Sequence, residues 1–484
     1  MTEKSCIELL EGTGASALGA ADVVVSGIAY RSNRVRPKDM FVCVRGFVHD
    51  GHEYAKDAVA RGAAALVVEH ELSGVAVPQF LVTDSRATLA VVSARFEGEP
   101  SRFLDVIGIT GTNGKTTTVY LVDSILRAAG RTTGLIGTVE TRIAGEPQPS
   151  SRTTPESSDL QVLLSQMRDA GVSGVSMEVS SHAIDLHRVD AVHFAVVAFT
   201  NLTQDHLDYH HTIEEYASVK RRLFTDFDSG ARVIDIDDPY GRLLAVELAD
   251  ALTVGRDETA LVRAEDEVLS ATGASFTLVA PEGSGRVELP LAGAYNVSNA
   301  LVAAGCALAV GIPFDTVVSG LEQAPQVPGR LERVELGQPF SVVVDYAHTP
   351  DSLEKAILAI KAVTPGRVIT VFGCGGDRDP EKRSVMGAVV ATHSDVAVVT
   401  SDNPRSEDPV GIILQVEDGM RGLSSRYEVE VDRRRAIGRA IGLAEPGDAV
   451  LIAGKGHEDY QIFADRTIHF DDREVAREEL AARC

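Results

Sequence analysis

No stretch of this sequence is an uninterrupted apolar run of the roughly 18 residues that a membrane-crossing helix needs. Nor does an apolar segment near its start resemble a secretion signal. Cysteine is scarce: Cys6, Cys43, Cys306, Cys374 and Cys484 are scattered, odd in number and without metal-ligand spacing, which excludes a disulfide framework and a zinc cluster. Basic charge is also short, with 46 Lys and Arg against 70 Asp and Glu and a net charge of −24. That balance argues against a nucleic-acid partner or insertion at an anionic membrane, while leaving room for a local basic pocket. Repeats and low-complexity segments are missing. What remains reads as a cytoplasmic globular chain, 44% apolar and 24% charged, and at 484 residues too long for one ordinary domain.

Three α/β units are expected, over 1–100, 101–328 and 329–484. In the first, strand-like runs at 23–28, 40–44, 65–68 and 80–82 alternate with helical runs at 54–61 and 85–96, closed by a polar linker at 97–101. A Pro/Gly segment, 325–332, marks the second boundary. Beyond it, strands at 341–345, 367–372, 395–400, 428–431 and 448–453 alternate with helices at 352–362, 381–392, 409–420 and 433–443, which predicts a doubly wound, Rossmann-like parallel sheet.

The most informative stretch is 103–130. A β-prone run (Phe103, Leu104, Val106, Ile107, Ile109) enters a glycine-rich turn, and a helical run follows with Val119, Val122, Ile125, Leu126 and Ala129 on one face and Gly130 as its stop. In this strand–turn–helix setting the backbone N–H groups of Gly111, Thr112, Asn113, Gly114 and the helix start would face a polyphosphate. Lys115 would add a point charge, Thr116 a hydroxyl for Mg²⁺, and Thr117 a second hydroxyl in the same turn. Gly108 and Gly114 enclose five residues, one more than the common phosphate loop has between its glycine and Gly-Lys.

Other polar motifs fall at predicted strand ends. Glu178 ends the run 172–179, and the next strand, 194–199, runs into 200–210 with His206. Two carboxylate–histidine clusters on adjacent strands point to one shared site. Thr153 and Thr154 precede a helix in which Pro155 suits the first position; the hydroxyls either bind an anion or cap the helix. Asn296 reads as the N-cap of the helix after Gly293, with Asn299 free to meet a base. Lys220 is by composition an ordinary helical lysine, and Ser32 sits in a cationic turn, 31–37. In the third unit, strand ends carry Asp345 to Pro350, Gly373 to Asp379 with Arg378, the run Asp402, Asn403, Pro404, Arg405, and Gly454 to Glu458. Four such turns on one sheet edge form a ligand crevice.

The run TGTNGKTTT at 110–118, with its extra residue, resembles the ATP loop of the Mur ligases and the related folylpolyglutamate synthetases. The matches at 177–210, 293–299, 328–332, 345–350 and 373–458 favour the Mur ligases, in particular those that extend UDP-N-acetylmuramoyl-L-alanyl-D-glutamate with meso-diaminopimelate. The resemblance implies amide-bond formation at the expense of ATP, through an acyl phosphate, in peptidoglycan precursor synthesis. It implies a nucleotide-binding first unit, an ATP-binding second and an amino-acid-binding third. Asn299, Arg330 and Asp345 would join the loop on ATP; Glu178, His206, Thr116 and a carbamylated Lys220 would hold Mg²⁺; and Lys115, Glu178, His206 and Lys220 would be the catalytic group. Ser32, Thr153, Thr154, Ser180 and Arg188 would contact the UDP-linked dipeptide. Arg378, Asp402, Asn403, Pro404, Arg405, Gly454 and Glu458 would contact diaminopimelate. A monomer acting on small molecules is expected. The same ligase type using L-lysine or another diamino acid, and a non-catalytic nucleotide-binding relative, are the alternatives.

Overall fold

The computed structural model describes residues 3–149, 152–423 and 426–483, so Cys484 lies outside the described residues. Within these, strands assemble into open sheets of five, eleven and six, with two further two-stranded ribbons.

The eleven-stranded sheet is built on strand Asp105–Thr110, all but the first residue of which is buried. Such a continuous apolar run is what helices on both faces of a parallel sheet require. It pairs in parallel with Gly174–Glu178 on one side and Phe194–Phe199 on the other, and the register puts Glu178 beside Ile109 and Phe199 beside Thr110. The loops after all three strands therefore leave at one edge. Because side chains alternate across a strand, Ile107 and Ile109 pack under helices Lys115–Ala128 and Ala294–Ala309, while Val106 packs under Ser157–Asp169 and Ile213–Thr225. Each such fully buried aliphatic side chain contributes about 1.5–3 kcal/mol. Antiparallel hairpins extend both edges of this parallel core.

In the six-stranded sheet Ser341–Asp345, Ala449–Ala453, Val368–Phe372, Val396–Val399 and Arg426–Val429 lie side by side in parallel, with Glu332–Arg333 antiparallel at the edge. Helices Pro350–Lys361, Glu381–His393 and Pro409–Met420 cover one face; Arg433–Leu443 and Asp472–Arg483 cover the other. The doubly wound architecture expected from the sequence is the one observed. The small N-terminal sheet is likewise mostly parallel, from Gly27–Ala29 to Gln79–Leu81, with Ser16–Leu18 antiparallel at its edge.

Two local expectations are corrected. Pro155 does not open a helix: the helix starts at Ser157 with Glu156 as its cap, and the Thr154 hydroxyl donates instead to the Glu178 carbonyl at 2.8 Å. Asn296 is not an N-cap; Gly293 holds that position and the Asn296 amide donates back to the Ala292 carbonyl at 2.8 Å. In both cases a hydroxyl or amide suited to capping donates instead to a backbone carbonyl.

Candidate active site

Between strand Asp105–Thr110 and helix Lys115–Ala128 the backbone turns through Gly111 and Gly114, with φ of +145° and +87°. A Cβ on Gly114 would stand 2.2 Å from Asn299 Oδ1, and one on Gly111 would stand 1.9 Å from Thr200 Oγ1, so conformation and space both demand glycine. The loop is braced from the neighbouring strand: Asn201 Oδ1 accepts from Asn113 N at 2.9 Å, and Thr200 Oγ1 donates to the Asn113 carbonyl at 2.6 Å. Thr117 is buried in the first helical turn. Asn299 donates to Asn296 Oδ1 and backs the loop at Gly114.

The Lys115 ammonium is folded onto its own loop, donating to the carbonyls of Gly111 (2.9 Å) and Thr112 (2.7 Å). Lys220, 1% exposed, donates to the same Gly111 carbonyl at 2.8 Å and lies over the Tyr216 ring. Two lysine amines thus share one acceptor. Burial, and then the Lys115 charge, push Lys220 far below the usual lysine range, while Asp205 opposes the shift. Lys115 is itself lowered by burial.

Glu178 is 1% exposed, and both its oxygens are held by one residue: Thr138 N donates to Oε1 at 2.7 Å and Thr138 Oγ1 to Oε2 at 3.1 Å. Thr153 Oγ1 stands 2.9 Å from Thr138 Oγ1, extending the chain. His206 adopts φ +54°; its side chain is 44% exposed and pairs with Asp205 at 3.5 Å, edge-on to His182. Burial raises the Asp205 carboxyl, but His206, His348 and Lys115 together hold it below its ordinary value. The Ser180 hydroxyl accepts from Ala183 N, and Arg188 donates to the Thr154 carbonyl at 3.2 Å and approaches Glu156. Ser32 lies on the one-turn helix Ser32–Arg34 in the N-terminal sheet unit.

The linker closes on this edge. Arg330 Nη2 donates to Thr116 Oγ1 at 3.3 Å, its guanidinium lies over the Tyr346 ring, and its buried Nε has no partner. The Asp345 carboxylate, raised by burial, is occupied by the N–H groups of Leu331 and Ala347 and so shapes the linker. Gly329, at φ +66°, leaves so little room that a Cβ would stand 2.0 Å from His457 N and 2.2 Å from the Gly456 carbonyl carbon.

In the third unit Asn403 donates to Glu458 Oε2 at 2.8 Å and Gln461 donates to the Asp402 carbonyl. Arg405, at φ +54°, donates to the Gly376 carbonyl, and the Pro404 carbonyl packs on Gly376. Gly454, at φ +118°, would place a Cβ 2.7 Å from Asp402 Oδ2. Arg378 is exposed and donates to the Asp377 carbonyl.

Several residues that the sequence did not single out complete the site. Thr138 orients Glu178. Asp351, in the first turn of helix Pro350–Lys361, accepts from Asn113 Nδ2 at 2.8 Å and Thr203 Oγ1 at 3.2 Å, tying the third unit to the phosphate loop. Lys455 and Arg433 lie buried beneath the turns 402–405 and 454–458. Two of these had a signal: Asp351 directly follows the run 345–350, and Lys455 lies inside the run 454–458. Among the described residues no three His, Cys, Asp or Glu side chains gather as a metal site. A cation here would have to draw on the Glu178 carboxylate, the His206 imidazole and the Thr116 hydroxyl, with nucleotide phosphate oxygens completing its ligands. Hard oxygen donors at a phosphate loop fit Mg²⁺.

Comparison with known proteins finds matches along most of the chain. The family profile "Mur ligase middle domain" covers residues 109–307, "Mur ligase, glutamate ligase domain" 329–456 and "Mur ligase family, catalytic domain" 24–96. A curated relative from Geobacillus kaustophilus (strain HTA426), named UDP-N-acetylmuramoyl-L-alanyl-D-glutamate--2,6-diaminopimelate ligase, is 46% identical over 473 residues, 96% of each chain. A solved structure bearing the same ligase name aligns over 100% of this chain and 99% of its own, with TM-score 0.72 and 31% identity. The fold is shared with a MurF ligase from Thermotoga maritima solved in complex with ADP: 21% identity, TM-score 0.66, 95% and 99% covered.

Proposed function

The chain belongs to the Mur ligase family, and we propose that it joins meso-diaminopimelate to the D-glutamate of UDP-N-acetylmuramoyl-L-alanyl-D-glutamate, with ATP cleaved to ADP and phosphate. The observation that carries this reading is Arg330, which reaches from the linker to Thr116 and so turns the amino-acid crevice toward the phosphate loop. A ligase needs that opposition of ATP and amine; a simple nucleotide-binding protein does not. We keep the domain roles expected from the sequence: 1–100 for the nucleotide end, 101–328 for ATP and 329–484 for the amino acid. We place the reaction in the cytoplasm, where ATP and UDP-linked precursors are found, and a monomer suffices, because one chain carries every motif.

Joining a carboxylate to an amine requires a leaving group on the carboxylate. ATP supplies it by phosphorylation, and the amine then displaces phosphate. The protein's part is positioning and charge neutralisation. Lys115 leaves the carbonyls of Gly111 and Thr112 for the phosphates, and Arg330 lends its unpartnered Nε edge to the same charge. Asn299 and Asp345 act by fixing the loop and the linker.

Lys220 is assigned as a carbamate. Two ammonium groups on one carbonyl repel each other, and a buried, neutral amine is the form that adds CO₂. The carbamate turns that repulsion into attraction and supplies an anionic oxygen next to Lys115 and the phosphate loop. Bound there, Mg²⁺ would neutralise developing phosphate charge. Thr153, Thr154, Ser180, Arg188 and Ser32 are assigned to the UDP-linked dipeptide. Arg405 and Arg378 suit the distal carboxylate of diaminopimelate, with Asp402, Asn403, Pro404, Gly454 and Glu458 around its ammonium.

The test is phosphate release with ATP, Mg²⁺ and the UDP-linked dipeptide, offering meso-diaminopimelate or L-lysine separately. Turnover with diaminopimelate well above that with lysine is expected. Faster turnover with lysine would overturn the specificity, and no release with either would overturn the ligase reading.

A further inference from the structure

Lys455 has 0% exposure, yet it lies on the turn after strand Ala449–Ala453, between the amino-acid motifs. A lysine is almost never fully buried unless its ammonium is paired. Its Nζ donates to Asn403 Oδ1 at 3.1 Å and to Glu458 Oε2 at 3.1 Å, and it stands 5.3 Å from the centre of the Tyr460 ring. Asn403 closes the triangle: its Nδ2 donates to the same Glu458 Oε2 at 2.8 Å, and its Oδ1 also accepts from Ile462 N at 3.0 Å. Every hydrogen bond of the three side chains is therefore directional. A flipped Asn403 would face two donors with its NH₂ and the carboxylate with its oxygen. The triangle consumes Glu458 Oε2, and among the described residues no group donates to Oε1.

We propose that Lys455 is the positioning residue of the amino-acid site, fixing Asn403 and turning Glu458 so that Oε1 alone is offered to the incoming substrate's ammonium. Lys455 does not touch the substrate. It cancels the charge that Glu458 would otherwise bring into a nearly dry turn, and its donation to Asn403 Oδ1 keeps the Asn403 amide turned toward Glu458. A lysine that merely filled space could be replaced by an apolar chain of equal length; one that aims Glu458 could not. This rests on the reading of the crevice as an amino-acid site.

The test is a double-mutant cycle with the intact enzyme. Lys455→Met keeps the length and removes the three N–H groups. Losing a hydrogen bond to a charged group costs roughly 10- to 100-fold in affinity. The KM for diaminopimelate is expected to rise by that factor, while the KM values for ATP and the UDP-linked dipeptide stay within about twofold. In a Glu458→Gln background the same replacement is expected to add little, because its effect runs through Glu458. Factors that multiply across the two variants, or three KM values that move together, would overturn the proposal. If Lys455→Met does not fold, Lys455→Gln runs the same cycle; if neither folds, the residue is a support for the turn and the proposal fails. The wild-type enzyme separates the two readings. A wild type that ignores diaminopimelate refutes the functional assignment, and the cycle is then run with whichever diamino acid it accepts.

Discussion

Arg433 and Asp472 form an ion pair in which neither side chain is exposed at all. The guanidinium donates to the carboxylate at 2.8 and 2.7 Å, to the Ala453 carbonyl at 2.9 Å and to the Ser401 carbonyl at 3.5 Å. Asp472→Asn keeps the shape and leaves the buried cation uncompensated. Breaking one side of such a pair costs about 3–5 kcal/mol, which at an m value of about 2 kcal/mol/M lowers the urea midpoint by about 1.5–2.5 M. Removing both charges, as Arg433→Met with Asp472→Leu, is expected to bring stability back to within about 1–2 kcal/mol of wild type. Function should not return with it. Ser401 and Ala453 are the last residues before Asp402–Arg405 and Gly454–Glu458, so the double variant unties both amino-acid motifs while keeping the core filled. Urea unfolding followed by circular dichroism reads the first effect, and the KM for diaminopimelate reads the second. A loss under about 1 kcal/mol for Asp472→Asn would refute the electrostatic part. Recovery of stability and KM together in the double variant would refute the claim that Arg433 aligns the motifs.

Lys220→Met is expected to lower kcat by about 10²–10³, the scale of losing one preorganised electrostatic group. It should also abolish the carbamate signal seen by NMR after equilibration with ¹³C-bicarbonate; a signal that survives the replacement would move the modification elsewhere. Arg405→Ala should raise the KM for diaminopimelate by roughly 10- to 100-fold with the KM for ATP unchanged, since charge-assisted hydrogen bonds to the distal carboxylate are lost; equal losses for both substrates would indicate misfolding. His457 is pushed down to about 3 by burial and the neighbouring Arg330 and Arg473 charges, and its buried Nδ1 has no partner. The unfolded chain then binds the extra proton first as pH falls, so folding stability is lost between about pH 6.5 and 3. His457→Gln should flatten that part of the stability–pH curve, and an unchanged curve would show that other groups set it.

Periodicity carried the fold a long way. The alternation after residue 340 placed strand Ser341–Asp345 and helix Pro409–Met420 to within a residue, because buried parallel strands and two-sided helices leave strong apolar signatures. What it could not place was short or polar. Strand Glu146–Gln148 is mostly exposed, and strand Thr467–His469 is exposed throughout, so neither has an apolar face to read. The site was legible where chemistry is dense, at 110–118 and 402–405. It was not legible where a residue acts through shape. Thr138 matters because its backbone and hydroxyl together grip Glu178, and Asp351 matters because a helix start meets Asn113 from more than two hundred residues away. Asn299 shows the converse: the motif was found, yet its amide is spent on Asn296 and its carbonyl oxygen is wedged against Gly114.

The contact between Gly329 and the Gly456–His457 backbone bears on how substrate preference can change in this architecture. Linkers between the units of one chain are usually pictured as independent of the pockets they bring together. Here the linker and the floor of the amino-acid pocket are the same piece of packing, two stretches of main chain with no room for a methyl group between them. Transplanting residues 454–458 from a ligase with another amino-acid preference would alter the linker's packing along with the pocket. A working chimera should therefore carry residues 327–330 from the same donor, and one that exchanges the pocket alone should bind its new amino acid yet close poorly on ATP.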